Sequence, residues 1–495
     1  MTPPEGNLSV VLVEAALERG LGSRPAILAD GVRWTYEDLA ERMGSAAAWL
    51  AGLGVRRGDL LLLALRDSPE WIALFLGAMR LGAVCALASP DLPGDRLAGA
   101  AARLGPSIVI AEEGPAGAVP GAAARRAVGG SARDPGPAPV RRDDPAYLLL
   151  TSGSTGPSKW AAHRAGDMAA CIATYGRRVL RLRPGDVTWS VASLSTSYGL
   201  GNSCYFPLGA GGAAVIEGPD RSPGRCAQAC KDHRVTALCG VPTSWARLAR
   251  HAADGRIDRR AFATVRLALS AGEALPATTW HAVERGTGLR LVNALGSSEA
   301  SNLYLSDSPN RPRPGTVGWP VPGYALAIAP AGDDAGGEGE LLVRGPSVMS
   351  GYLGADPLDG PLPTGDLVRR ERDGSHTFLG RTGDRFKAGG FWIDPAQVRS
   401  ALEEIPGVAE AVVLPVEDDA GLLRVGAIVA TDRRSPAGRA ERVMAGARER
   451  LRPHEVPRAL VVCDSLPTTA SGKLDRTRAA AILGDAEPLT VRMAS

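Results

Sequence analysis

The chain has 495 residues, 45% hydrophobic and 22% charged, with a formal net charge of +3. That length exceeds one hydrophobic core and fits two or three domains of an ordinary globular protein. The small net charge gives no electrostatic case for nucleic acid or a membrane surface.

In chain order, the N-terminus lacks a basic segment followed by an apolar one, so no secretory signal is read. The most apolar stretch, 60–88, is interrupted by Arg66, Asp67, Glu70 and Arg80 and does not read as a membrane span. Seven cysteines without a CxxC pair suggest reduced thiols. A cytoplasmic protein, monomeric or homodimeric, is expected. The first 110 residues alternate helical patterns with strand-like runs such as LLLLAL (60–65), which argues for α/β layers. Residues 111–145, rich in Ala, Gly, Pro and Arg, read as loop with one short strand. From 146 to 380, strand runs (AAVIEG, TALCGV, VRLALSAGE, LRLVNAL, GELLVRG) again alternate with helices. After GRTGDRFKAGGFWI the pattern becomes a helix over 395–405, strands at 409–416 and LLRVGAIVA, and an Arg-rich helix near 437–451. The predicted fold is α/β, with a large multi-layer domain of sheets and helices over 1–382. A small, mobile α+β domain follows over 383–495.

Chemistry concentrates in TSGSTGPSK (151–159), which follows the apolar run Tyr147-Leu148-Leu149-Leu150. Small hydroxyls and glycines cannot build a core, but their N–H and O–H groups can surround an anion. The spacing is not that of a Walker A loop, and Trp160 stands where that loop carries Ser or Thr. Phosphate binding and a solvated Ser/Gly loop both remain open on this segment alone. The lysines sharpen the reading. Of 56 basic residues only Lys159, Lys231, Lys387 and Lys473 are lysine. A lysine retained in so arginine-rich a chain suggests a place for a compact ammonium.

Further segments follow in order: SAGEALP (270–276), NALGSSE (293–299), PTGDLV (363–368), GRTGDRFKAGGFWIDP (380–395) and LPTTASGKLDR (466–476). With TSGSTGPSK they resemble the ordered motifs of the acyl-adenylate-forming superfamily. Within it, SYGLGNSCYFPLGAGGAAVI (197–216), SAGEALP and GSSE are most similar to benzoate- and other aryl-CoA ligases. The resemblance implies a two-step reaction using ATP, Mg2+ and CoA: a carboxylate takes AMP from ATP, and a thiol then displaces AMP.

It also implies roles. Thr151, Ser152, Gly153, Ser154, Thr155, Gly156 and Lys159 would hold the departing phosphates. Ala271, Gly272 and Glu273 would flank adenine, and Asp366 would accept the ribose hydroxyls. Glu299 would help hold Mg2+, and Arg381 would lie near ribose and phosphate. Lys473 would bridge the substrate carboxylate and the ribose. Ser197, Tyr198, Gly296, Ser301, Asn302 and Leu303 would form the aryl pocket. Lys387, Gly389, Gly390 and Phe391 would line the CoA tunnel. The polar side chains of Ser197, Ser301 and Asn302 favour a ring bearing hydroxyl or amino groups, unless they bond to backbone.

Two positions depart from the pattern. Gly383 stands at the hinge, where an acidic or basic residue is usual, and Trp160 replaces the glycine after the loop lysine. A ring beside the phosphates would narrow the pocket. The expected partners are a small aryl acid and CoA. A carrier protein is the alternative acceptor, and AMP-forming activation of nitrite for aryl amine diazotisation is a remoter reading left open by Trp160.

Overall fold

The computed structural model describes residues 6–92, 94–112, 118–130, 132–151, 159–330, 337–384, 386–388, 391–417, 422–431, 439–468, 474–484 and 492–493. Among them, two large sheets dominate. One has nine strands, in which Pro25–Ala29, Ala213–Val215, Val187–Ser190, Ala237–Gly240, Leu267–Ser270 and Leu291–Gly296 run parallel. The other has seven, with a parallel centre of Ile108–Ala111, Leu60–Ala64, Val84–Leu87 and Pro145–Thr151. These central strands are short apolar runs because helices cover both faces of a parallel sheet. Leu60–Ala64 buries Leu61 and Leu63 in one apolar cluster and Leu62 and Ala64 in another.

That alternation settles the position of Trp160. The strand Lys159–Arg164 pairs antiparallel with Pro145–Thr151, and successive side chains point to opposite faces. Trp160 is buried with Leu62, Ala86, Leu97 and Leu148, while Ala161 lies in the other cluster. The ring therefore packs under the helix Gly94–Leu104, in the apolar layer of the sheet. It gives no reason to prefer an unconventional substrate such as nitrite.

A four-stranded antiparallel sheet (Ala325–Pro330, Glu338–Arg344, Leu362–Arg370, His376–Arg381) continues the chain. Beyond it lies a separate sheet containing Val408–Glu417, Leu423–Thr431 and Ala459–Cys463, flanked by the helices Pro395–Glu403 and Arg439–Arg450. Two buried apolar clusters fall within residues 8–368 and two within 386–483. The expected loop over 111–145 contains a helix, Gly121–Val128, whose Ala124 and Val128 are buried. Its eight residues are too few to be helical alone, and packing against Tyr36–Gly52 and Pro69–Arg80 supplies what propensity does not.

Glu403 closes the helix Pro395–Glu403, with Oε1 accepting from Ala411 N at 3.1 Å. Burial raises its carboxyl from the ordinary 4.5 to about 7. The folded chain thus holds a proton that the unfolded chain has lost between these values, and stability falls as pH rises through that window. Between pH 5 and 8 the wild type should lose roughly 2 kcal/mol through this group, and Glu403→Gln should remove that loss. Urea denaturation of both chains at the two pH values checks it.

Candidate active site

In open α/β sheets, ligands bind beyond the carboxyl ends of the parallel strands. Here a cleft of about 1030 Å3 opens at those ends. Thr151 ends its strand at the rim. Thr243 follows Ala237–Gly240, Ala271, Gly272 and Glu273 follow Leu267–Ser270, and Ser297–Glu299 follow Leu291–Gly296. Gly272 adopts φ +88°, a left-handed conformation that favours glycine, which turns the chain across the cleft.

The opposite wall carries Asp366 and Arg381, which face each other in the antiparallel pair Leu362–Arg370 and His376–Arg381. Arg381 Nε donates to Asp366 Oδ1 at 2.8 Å, and Tyr304 Oη donates to Oδ2 at 2.9 Å. Burial pushes the Asp366 carboxyl up, and the guanidinium opposes that shift. A carboxylate has about four lone-pair positions, so this one retains acceptor capacity for ligand hydroxyls.

Glu299 sits in the 3₁₀ turn Ser298–Ala300, and its backbone is clamped on all sides. His163 Nε2 donates to Ser298 O at 2.7 Å, Met349 N to Glu299 O at 2.7 Å, and Ser347 Oγ to Ala300 O at 2.6 Å. Tyr352 Oη donates to Glu299 Oε1 at 2.9 Å, while Lys159 Nζ lies 4.9 Å from the centroid of the Tyr352 ring. Tyr352 thus joins the loop lysine to the glutamate. A single hard carboxylate at the edge of a roomy cleft suits Mg2+, which keeps waters and binds through one or two carboxylates plus substrate phosphates. Among the described residues, the one group of three metal-ligating side chains within reach of each other is Asp30, Glu217 and His233, none of which lines this cleft. Arg225 already pairs with Asp30 and Glu217 there.

Ser197, Tyr198, Gly296, Asn302 and Leu303 line the cleft together. A Cβ on Gly296 would lie 2.2 Å from Asn302 O, so only glycine permits the close approach of the paired strands Leu291–Gly296 and Leu303–Ser306. The polar members are mostly engaged. Asn302 Nδ2 donates to Ser197 O at 3.1 Å and to Tyr205 Oη at 2.8 Å. Because a carbonyl only accepts, this fixes the amide orientation, and Oδ1 has no partner among the described residues.

Ser301 corrects an expectation. It adopts φ +63°, which turns its hydroxyl into a 2.5 Å hydrogen bond with Tyr147 Oη, and it lies outside the cleft lining. It therefore supports the turn.

Ser152, Gly153, Ser154, Thr155 and Gly156, expected to hold phosphate, lie outside the described residues, as do Lys473, Gly389 and Gly390. Leu474, which follows Lys473, lines the cleft and donates its N–H to Glu273 Oε1 at 3.1 Å. Of the expected tunnel residues, Phe391 does not line this cleft. Lys387 belongs to the strand Phe386–Ala388, and Phe391 is 55% exposed, stacked on His454 at 4.3 Å. Sequence reasoning missed Tyr352, His163 and Tyr304. The one available signal was SGYLG (350–354), which sets an aromatic between glycines.

Comparison with known proteins gives the same outline. Residues 13–353 match the family model described as AMP-binding enzyme, and 397–473 match its C-terminal domain. A p-hydroxybenzoic acid–AMP ligase of Mycobacterium tuberculosis is 34% identical over 95% of this chain and 68% of its own length. A 4-hydroxybenzoate–CoA/benzoate–CoA ligase of Rhodopseudomonas palustris is 30% identical over 95% and 93%. The solved structure of a benzoate CoA ligase from Burkholderia xenovorans superposes with a TM-score of 0.85 at 27% identity, covering 96% of this chain and 99% of that one. No helix of the described residues is long and apolar enough to cross a membrane.

Proposed function

The chain belongs to the AMP-binding enzyme family, and we propose that it activates a hydroxy- or amino-substituted aryl carboxylic acid with ATP and passes the acyl group to CoA. The observation that carries this reading is the cleft that gathers Thr151, Glu299, the Asp366–Arg381 pair, Tyr198 and Gly296. In the first step a carboxylate oxygen bonds to the α-phosphorus and the bond to pyrophosphate breaks. In the second, a thiol sulfur attacks the acyl carbon, AMP leaves, and the thiol proton is released.

Asp366 accepts the ribose hydroxyls, and Arg381 holds Asp366 while presenting positive charge to the cleft. Glu299 would hold Mg2+, which would supply neutralisation of phosphate charge. Tyr352 and the backbone clamp around Ser298 and Ala300 keep Glu299 in place. Lys473 stabilises the charge that develops between carboxylate and phosphorus. The part of the cleft lined by Tyr198, Gly296 and Leu303 takes the planar ring. The two domains, 1–382 and 383–495, turn about Gly383 between the steps, which would exchange the Leu474 side of the small domain for its Phe391 side. The relatives' names support hydroxybenzoates as acids and differ over the acceptor. The acid–AMP ligase carries no CoA in its name, which leaves room for the second reading, transfer to a carrier protein.

The test is exchange of labelled pyrophosphate into ATP with benzoate, cinnamate and their hydroxy and amino derivatives. Exchange that depends on one aryl acid supports the reading, and none with any of them refutes it. Tyr352→Phe keeps the ring under Lys159 but frees Glu299. It should raise the Mg2+ concentration needed for half-maximal exchange by about tenfold, the usual cost of losing a ligand's supporting hydrogen bond.

A further inference from the structure

Glu273 does more than its expected place beside adenine requires. Its Oε2 accepts from Thr243 N at 3.0 Å and Thr243 Oγ1 at 2.9 Å. Thr243 stands at the start of the helix Pro242–Ala253, so the carboxylate sits where the helix dipole favours negative charge. With Oε2 saturated, Oε1 is directed to the N–H of Leu474, 201 residues further along the chain. The same helix reaches the C-terminal unit again near its other end. Arg250 donates to Glu410 Oε1 and to Asp464 O, each at 3.2 Å.

We propose that Glu273 is a positioning residue specific to adenylation: it captures the Leu474 N–H, in the peptide bond joining Leu474 to Lys473, and so holds the C-terminal unit in the pose that forms the adenylate. This rests on the functional reading above. The contact must break before the Phe391 side of that unit can reach the cleft, so Glu273 contributes to the first half-reaction and nothing to the second.

Glutamine is the informative replacement. Its single oxygen is claimed by the Thr243 N–H and hydroxyl, which leaves an amide nitrogen, a donor, facing the Leu474 N–H. In Glu273→Gln the burst of pyrophosphate release at saturating ATP should fall about tenfold, the scale of one hydrogen bond to a charged acceptor. The maximal rate of thioester formation from saturating aryl-adenylate and CoA should fall by less than about twofold, far less than the burst. Amide hydrogen exchange should quicken in the peptide containing Leu474 and stay as in the wild type elsewhere, which also reports that the variant is folded.

A rise in KM for ATP alone would overturn the proposal in favour of an adenine contact. Equal losses in both half-reactions, or unaltered exchange at Leu474, would overturn it too. If the wild type releases no pyrophosphate with any aryl acid, the functional reading fails, and the exchange measurement still decides whether Glu273 holds Leu474.

Discussion

Replacing Asp366 by alanine should weaken ATP binding about a hundredfold, the scale of two hydrogen bonds to a charged acceptor. The same change should destabilise the fold. Asp366 is 3% exposed and holds both Arg381 and Tyr304, so alanine leaves a guanidinium and a phenol without their partner. Removing one member of a buried pair costs about 3–5 kcal/mol, and the partial exposure of Arg381 places the loss near the lower end. Asp366→Asn separates the two effects. Its amide oxygen still accepts from Arg381 and its amide nitrogen can donate to Tyr304, so stability is largely kept while the charge that holds the ribose is gone. Calorimetric titration with ATP and thermal unfolding of both variants check this. Wild-type ATP affinity in Asp366→Ala would remove Asp366 from the nucleotide site.

Lys473→Ala should lower adenylate formation by about 10²–10³-fold, comparable to deleting a donor aimed at developing negative charge. Conversion of supplied aryl-adenylate to thioester should persist, since that step no longer involves attack on phosphorus. Lys473→Arg should not rescue it, because a planar fork does not replace a compact ammonium placed between two molecules. Rapid-quench measurement of the two half-reactions distinguishes these outcomes. Equal slowing of both would contradict the assigned role.

The residues that touch ligands in this account were legible because they occur in short ordered segments at strand ends, where chemistry and local turn geometry coincide. TSGSTGPSK, SAGE and GSSE each follow an apolar run that forms a buried strand. What holds those residues was not legible. Tyr352 reaches Glu299 only because Gly351–Tyr352 pairs with Lys159–Arg164 at the sheet edge, and His163 reaches Ser298 across 135 residues of sequence. No local pattern encodes such pairings. Ser301 misled for a related reason. Its residue type suggests a pocket hydroxyl, but the left-handed backbone after Glu299 directs it to Tyr147. Trp160 could have been read correctly, since period-two alternation already puts it on the face opposite Lys159.

The most direct test of the central claim uses an aryl acid whose carboxylate oxygens are both 18O, incubated with ATP, Mg2+, CoA and the protein. Attack of that carboxylate on the α-phosphorus predicts AMP carrying one 18O, with aryl-CoA retaining the other and pyrophosphate unlabelled. Label in pyrophosphate or inorganic phosphate, or AMP formed without label, would mean that the acid is not adenylated here.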